Sequence, residues 1–172
     1  MTETWHGFRV VVGAVEDDTA PRKPSGNSSE LVNKLQQLLA DVAIFYHTVH
    51  EFHWNVKGQN FYEYHKLLDE IVSDVYDSID PIAENIRKLD SYARYSMSDL
   101  LKLASLKEVS GVESSTQEIV SDLVRLNSEL ISTLKTTFDT ANSSNEQGVA
   151  NFIAERIDMH QKWNWFLKSS EG

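Results

Sequence analysis

The chain has 172 residues, 41% of them hydrophobic, with three prolines and no cysteine. That length suits one domain with a sizeable core, and the lack of cysteine excludes a disulfide framework, thiolate metal sites and thiol chemistry. The net charge of −10 argues against broad non-specific nucleic-acid binding, which needs clustered cations to displace counterions. It is compatible with the attraction of metal cations. No basic segment followed by an apolar run opens the sequence, and no stretch approaches about 18 apolar residues. Neither a secretory signal nor a membrane span is expected, and the cytoplasm is the default location.

Residues 1–27 read as an N-terminal arm or tail, with a short apolar run from Phe8 to Val15, the acidic patch Glu16-Asp17-Asp18 and a breaker cluster from Pro21 to Asn27. The rest, 28–172, reads as one helical domain. A first helix is predicted from near Ser28 to about Val56. Its apolar stripe, Leu31, Leu35, Leu38, Val42, Phe45, Val49, Phe52 and Val56, is spaced by threes and fours. Gly58 supplies a left-handed stop. A second helix begins after Asn60, with Glu63 as a capping-box partner, and carries Leu68, Ile71, Val75, Ile79, Ile82, Ile86 and Leu89. Pro81 removes a ladder bond and is expected to kink it near Asp77.

Residues 91–112 form a long connection in which Ser98 to Leu106 suits a short extra helix. A third helix opens at the capping box Ser115-x-x-Glu118, and a fourth near Ser143-x-x-Glu146. Short loop, long connection, short loop is the order of an all-α, ferritin-like four-helix bundle with an extra helix between helices two and three.

The polar residues that stand out are His53, His65 with Asp69, and Asp80 with Glu84. Members of each pair at i, i+4 share one helix face. Oxygen and imidazole donors suit iron, manganese or zinc. Taken alone, His65–Asp69 is more often a hydrogen-bonded surface pair, and Asp80–Glu84 a like-charge pair offset by Arg87 or Lys88. Together they say more. Eleven residues separate Asp69 from Asp80, roughly 16 Å along a straight helix but only about 20° around it. One ion cannot bridge them, yet both pairs lie on one ribbon. Two chains placed antiparallel across a two-fold axis would complete both half-sites.

His47, His50 and His53 drift about 60° per step around the axis, so they make a weak metal box. His50 reads as a packing or supporting residue and His47 as a surface one. Trp54, Trp163 and Trp165 are expected in the core, although Trp54 adjoins His53 and is an oxidisable ring placed to intercept radicals. The helical part has no Glu-x-x-His, which counts against a di-iron centre within one bundle.

The run from His53-Trp-Asn-Val-Lys-Gly to Phe61, then Tyr64-His65 to Asp69-Glu70, then Asp77-x-x-Asp80-x-x-Ala83-Glu84-x-Ile86-Arg87, resembles the Dps family, the starvation-induced DNA-protection proteins. The segment MSDLLKLASLKE resembles that family's extra helix. The resemblance covers about residues 30–168 and is specific from 53 to 87. It implies a mini-ferritin: a dodecameric cage built from two-fold dimers, with a di-iron ferroxidase centre at each dimer interface. His53, His65 and Asp69 would come from one subunit, and Asp80 and Glu84 from the other. It implies oxidation of Fe(II) by hydrogen peroxide or oxygen and storage of ferric mineral, with Zn or Mn as metals the same donors would accept. Glu146 and Glu155 are the candidates for acidic iron pores, with Asn151 where an aspartate is expected. Many members bind DNA through a lysine-rich tail. Here residues 1–27 hold three cations against four carboxylates, a formal −1, which argues against DNA binding by that route.

Overall fold

The computed structural model describes residues 26–109 and 114–170. Among them are five helices and no strand: α1 (Gly26–Asn55), α2 (Phe61–Lys88), α3 (Met97–Leu103), α4 (Thr116–Ser143) and α5 (Gln147–Ser170). α1 packs against α2, α3 and α4; α4 packs against α5; α2 meets α5. The four long helices form the expected ferritin-like bundle, with α3 in the long connection between α2 and α4. Of the arm expected for residues 1–27, only Gly26 and Asn27 are described, and both already belong to α1. The rest of that expectation lies outside the described residues.

The apolar stripe read along α1 is the centre of the core. Leu31, Leu35, Leu38, Phe45, Val49 and Phe52 are fully buried. α1 also has a second buried face. Ala40 and Ala43 receive Leu100 of α3, and small residues there let the short helix lie close. On the same helix, Asp41 is fully buried. Its carboxylate accepts from Ser105 N–H at 2.6 Å, Ser105 Oγ at 2.7 Å, Leu106 N–H at 2.9 Å and Thr133 Oγ1 at 3.2 Å. A buried charge is tolerable when its lone pairs are filled, and here they tie the long connection and α4 to α1.

A second polar cluster joins α2, α4 and α5. Arg156 donates to both oxygens of Asp74, at 2.8 and 2.6 Å, and Trp163 Nε1 donates to the same carboxylate at 2.8 Å. Burial pushes the Asp74 carboxyl up, but the bonds from Arg156 and Trp163, with the nearby positive charge, hold it below its ordinary value. His160 is buried beside this cluster. Its Nδ1–H donates to Asn127 Oδ1 at 2.6 Å, and Asn127 Nδ2 returns a bond to the His160 carbonyl at 2.8 Å. Burial, aided by the Arg156 charge, lowers the His160 pKa to about 3, so the ring is neutral at neutral pH.

The helix ends agree with sequence expectation in part. Ser115 and Glu118 form the complete reciprocal box at the start of α4. The box expected at Asn60 does not form. Asn60 has φ 64° and makes no side-chain cap bond, because a side-chain cap requires extended backbone at that position. Ser143 does not open α5 either. It is the last residue of α4, its hydroxyl donates to the Asp139 carbonyl, and the reversal to α5 runs through Asn145 at φ 60°. The extra helix starts at Met97, capped by Ser96, rather than at Ser98. α2 remains helical through Pro81. Of the three tryptophans expected in the core only Trp163 is buried; Trp54 and Trp165 are exposed, each on the side of its helix away from the stripe. No helix among the described residues is long and apolar enough to cross a membrane.

Candidate metal centre

Five residues, 56–60, separate α1 from α2. Gly58 at φ 102° and Asn60 at φ 64° reverse the chain; Gly58 adopts a conformation that costs other residues strain. The reversal sets the last turn of α1 beside the first turn of α2, and there His53 and His65 meet. Their rings stack with centroids 4.0 Å apart and planes 21° apart.

Each ring also bonds the other's backbone. His53 Nδ1 lies 3.1 Å from the His65 carbonyl, and His65 Nδ1 lies 2.9 Å from the His53 carbonyl. A carbonyl only accepts, so both Nδ1 atoms carry hydrogen and donate. In the neutral ring this leaves Nε2 with its lone pair. A carbonyl on the far nitrogen is the usual support for an imidazole that ligates a metal, since it sets tautomer and ring orientation. Phe61, one turn before His65, stacks on it at 5.1 Å.

Asp69 is exposed one turn beyond His65 on α2, with Lys66 Nζ at 4.0 Å, the limit of an ion pair. Asp80 and Glu84 are exposed on the same helix. Neither has an ion-pair partner among the described residues. Arg87, expected to offset them, instead donates to the Ser91 carbonyl at 2.8 Å and lies over the Tyr92 ring at 4.6 Å. Among the described residues of one chain, no three His, Asp or Glu side chains converge as a metal site. The structure thus brings His53 and His65 together and leaves the Asp80–Glu84 pair separate on α2.

His50 is half-buried between rings. Its centroid is 4.1 Å from Trp54, 5.4 Å from Tyr46 and 6.0 Å from His53. Burial lowers its pKa, helped by the charges of His53 and His47 and opposed by Asp69. It acts as packing here, and His47 is exposed. Tyr46 and Tyr76, 5.6 Å apart, extend the ring layer across α1 and α2. The sequence reading had not singled out Phe61, Tyr46 or Tyr76. The i, i+4 spacings of Phe61 to His65 and of Tyr46 to His50 signalled two of these contacts; nothing local signalled Tyr46 against Tyr76. Trp54, Phe61, Tyr62 and Tyr76 leave the α1–α2 face rich in exposed aromatic surface. Glu146 precedes α5 and is half-buried, while Asn151 and Glu155 are exposed on it.

Residues 32–170 match the model of the ferritin-like domain family. A low temperature-induced protein of Nostoc sp. is 34% identical over 81% of this chain and 78% of its own length. The DNA protection during starvation protein of Helicobacter pylori is 28% identical over 78% of this chain and 94% of its own. Among solved structures, the Dps protein of Vibrio cholerae O1, described as a member of a broad superfamily of ferritin-like diiron-carboxylate proteins, superposes with a TM-score of 0.80. It is 29% identical and spans 85% of this chain and 91% of that one.

Proposed function

The chain belongs to the ferritin-like family, among its Dps members, and from that premise we propose that it is a ferroxidase and iron-storage mini-ferritin. Fe(II) is the substrate, hydrogen peroxide the proposed oxidant, and a two-fold dimer of chains the catalytic unit. Twelve chains enclose the ferric product in the cytoplasm. One observation carries the reading: the reciprocal bonds of His53 and His65 leave both Nε2 lone pairs free at a surface that one chain leaves incomplete. The missing charge is present at Asp80 and Glu84 on α2, the helix of His65, without an ion-pair partner among the described residues. Antiparallel pairing across the aromatic α1–α2 face brings the carboxylates of one chain to the imidazoles of the other.

In that arrangement His53, His65 and Asp69 hold Fe(II), and Asp80 and Glu84 of the partner neutralise the extra positive charge of Fe(III). Hard carboxylates favour the oxidised ion, and imidazole suits the reduced one. Two Fe(II) give one electron each to peroxide, which takes up two protons and leaves as two waters, so no hydroxyl radical is released. Trp54, exposed beside His53, is placed to intercept any single-electron oxidant that escapes. Glu146 and Glu155 mark the entry route for the cation. Zinc and manganese fit the same donors; zinc would occupy the site without being oxidised.

Subunit mixing tests the proposal. A variant lacking the first half-site (His65→Ala, Asp69→Ala) and one lacking the second (Asp80→Ala, Glu84→Ala) are each expected to lose fast Fe(II) oxidation by peroxide. Mixed dimers contain one doubly damaged site and one intact site, so co-assembly should restore roughly half the activity per dimer. No recovery in mixed, fully assembled particles would refute a shared site. An ion bound by Asp69 and Glu84 of the same chain would do so as well.

A further inference from the structure

A cavity of about 450 Å³ opens between the first part of α1, the loop after α2 and α3. Its walls include Asn33, Gln36, Ser91, Tyr92, Arg94 and Lys102, and no aspartate or glutamate among the described residues. In a chain of net charge −10, a cavity with two cations and no carboxylate needs a reason. Neither Arg94 nor Lys102 has an ion-pair partner among the described residues. Asp99, the acid nearest Lys102 in sequence, is taken up by the Ser96 cap at the other end of α3, where Ser96 Oγ donates to it at 2.8 Å.

Gln36 supplies the second observation. It is 7% exposed, and its Oε1 accepts the Arg94 N–H at 2.9 Å. That bond fixes the amide orientation, since only the oxygen accepts, and pins the loop to α1. The other end, Nε2, is buried with no partner. Buried donors are nearly always satisfied, so an orphan amide in a cavity wall asks for an acceptor. The Ser91–Tyr92 segment is held in turn by Arg87, through its bond to the Ser91 carbonyl and its position over the Tyr92 ring. The opposite face of that ring is open, Tyr92 being 82% exposed.

We propose that this cavity binds a phosphate group, free or carried by a nucleotide, between Arg94, Lys102 and the Gln36 amide. Guanidinium and ammonium groups favour a compact, multiply charged oxyanion. The volume leaves room beyond the phosphate for a ribose, and the free Tyr92 face suits a base. The site lies on α1, α3 and the loop, apart from His53, His65 and the α2 carboxylates. It does not depend on the ferroxidase reading.

The experiment is calorimetric titration of the assembled full-length protein with inorganic phosphate, AMP and adenosine. Arg94→Gln/Lys102→Gln and Gln36→Glu are compared with the parent; the latter keeps the acceptor for Arg94 N–H and replaces the donor by a negative charge. Saturable binding of phosphate or AMP, weakened at least ten-fold in both variants, is expected, with an unchanged sedimentation profile and thermal melt as evidence of intact protein. Equal affinity for phosphate and AMP identifies free phosphate as the ligand. Tighter AMP binding that falls with Tyr92→Ala identifies a nucleotide. No saturable binding of either overturns the proposal. So do adenosine binding as tight as AMP, variants that bind like the parent, or binding of duplex DNA with none of the small phosphates.

Discussion

The two ends of α2 are built differently. At its start, His65 is locked to His53 by two reciprocal bonds to backbone carbonyls, a stacked ring and a second ring, Phe61, on top. Further along, Asp80 and Glu84 stand exposed with no ion-pair partner among the described residues. The contrast follows from the donors. An imidazole has one lone pair in the ring plane, so its tautomer and direction must be set in advance. A carboxylate accepts over a wide range of directions through either oxygen, so position on the helix suffices. An unpaired like-charge pair one turn apart destabilises its helix slightly, a cost that a bound cation would remove.

The largest effect should come from the carboxylate end. Asp80→Ala/Glu84→Ala is expected to slow peroxide-driven Fe(II) oxidation by more than the roughly 10- to 100-fold that loss of a supporting bond costs. Sedimentation should show the same assembly as the parent, if the proposed assembly rests on apolar contacts. Oxidation at the parent rate would show that these carboxylates are not ligands. Failure to assemble would make them structural and erase the contrast drawn here.

A third histidine sharpens the comparison. His160 is buried and bonded only through Nδ1, and its pKa is lowered to about 3. Unfolded, it titrates near 6.5. Between those values the unfolded chain binds a proton the folded chain does not, so this stability is full above about 6.5 and is lost as pH falls towards 3. Asp74, whose pKa is lowered, acts in the same direction at the acid end of that range. The parent should therefore lose on the order of a few kcal/mol by pH 4. His160→Gln should be less stable at pH 7 yet show a flatter profile in denaturant melts from pH 7 to 4. Equal slopes in both proteins would rule out His160 as the source.

A smaller effect is expected at the turn itself. Gly58→Ala meets no atom within 4 Å but must hold φ near 102°, which should cost about 1 kcal/mol. Because the turn carries the His53–His65 lock, Fe(II) affinity should fall while the carboxylate pair is untouched. Unchanged affinity with reduced stability would show that the lock survives a strained turn.

The smallest expected signal is DNA binding. Twelve chains would carry a formal charge of roughly −120 before metal binding. Gel shifts in about 150 mM salt with EDTA should show no sub-micromolar retardation. Retardation there would give weight to a DNA-compacting role with a secondary metal site. Binding only on adding magnesium would mean cation bridging.

Helix placement was legible because apolar spacing by threes and fours is a property of the chain alone. The Ser115–Glu118 box was legible too, since both partners lie within one turn. Asn60 and Ser143 showed the same local pattern and formed no box, because Asn60 is left-handed in the turn and Ser143 still belongs to α4, and a cap depends on backbone angles. Spacing also set the His65–Asp69 and Asp80–Glu84 pairs about three turns apart along α2, for rise and rotation per residue are fixed in any helix. The neighbours were beyond its reach. That His53 and His65 exchange bonds with each other's carbonyls depends on how five turn residues bend. That Asp41 is buried among four donors depends on a loop 64 residues away. That Trp54 faces outward depends on which side of α1 the bundle covers. These are contacts between segments distant in sequence or joined by irregular backbone, and only the packed bundle decides them.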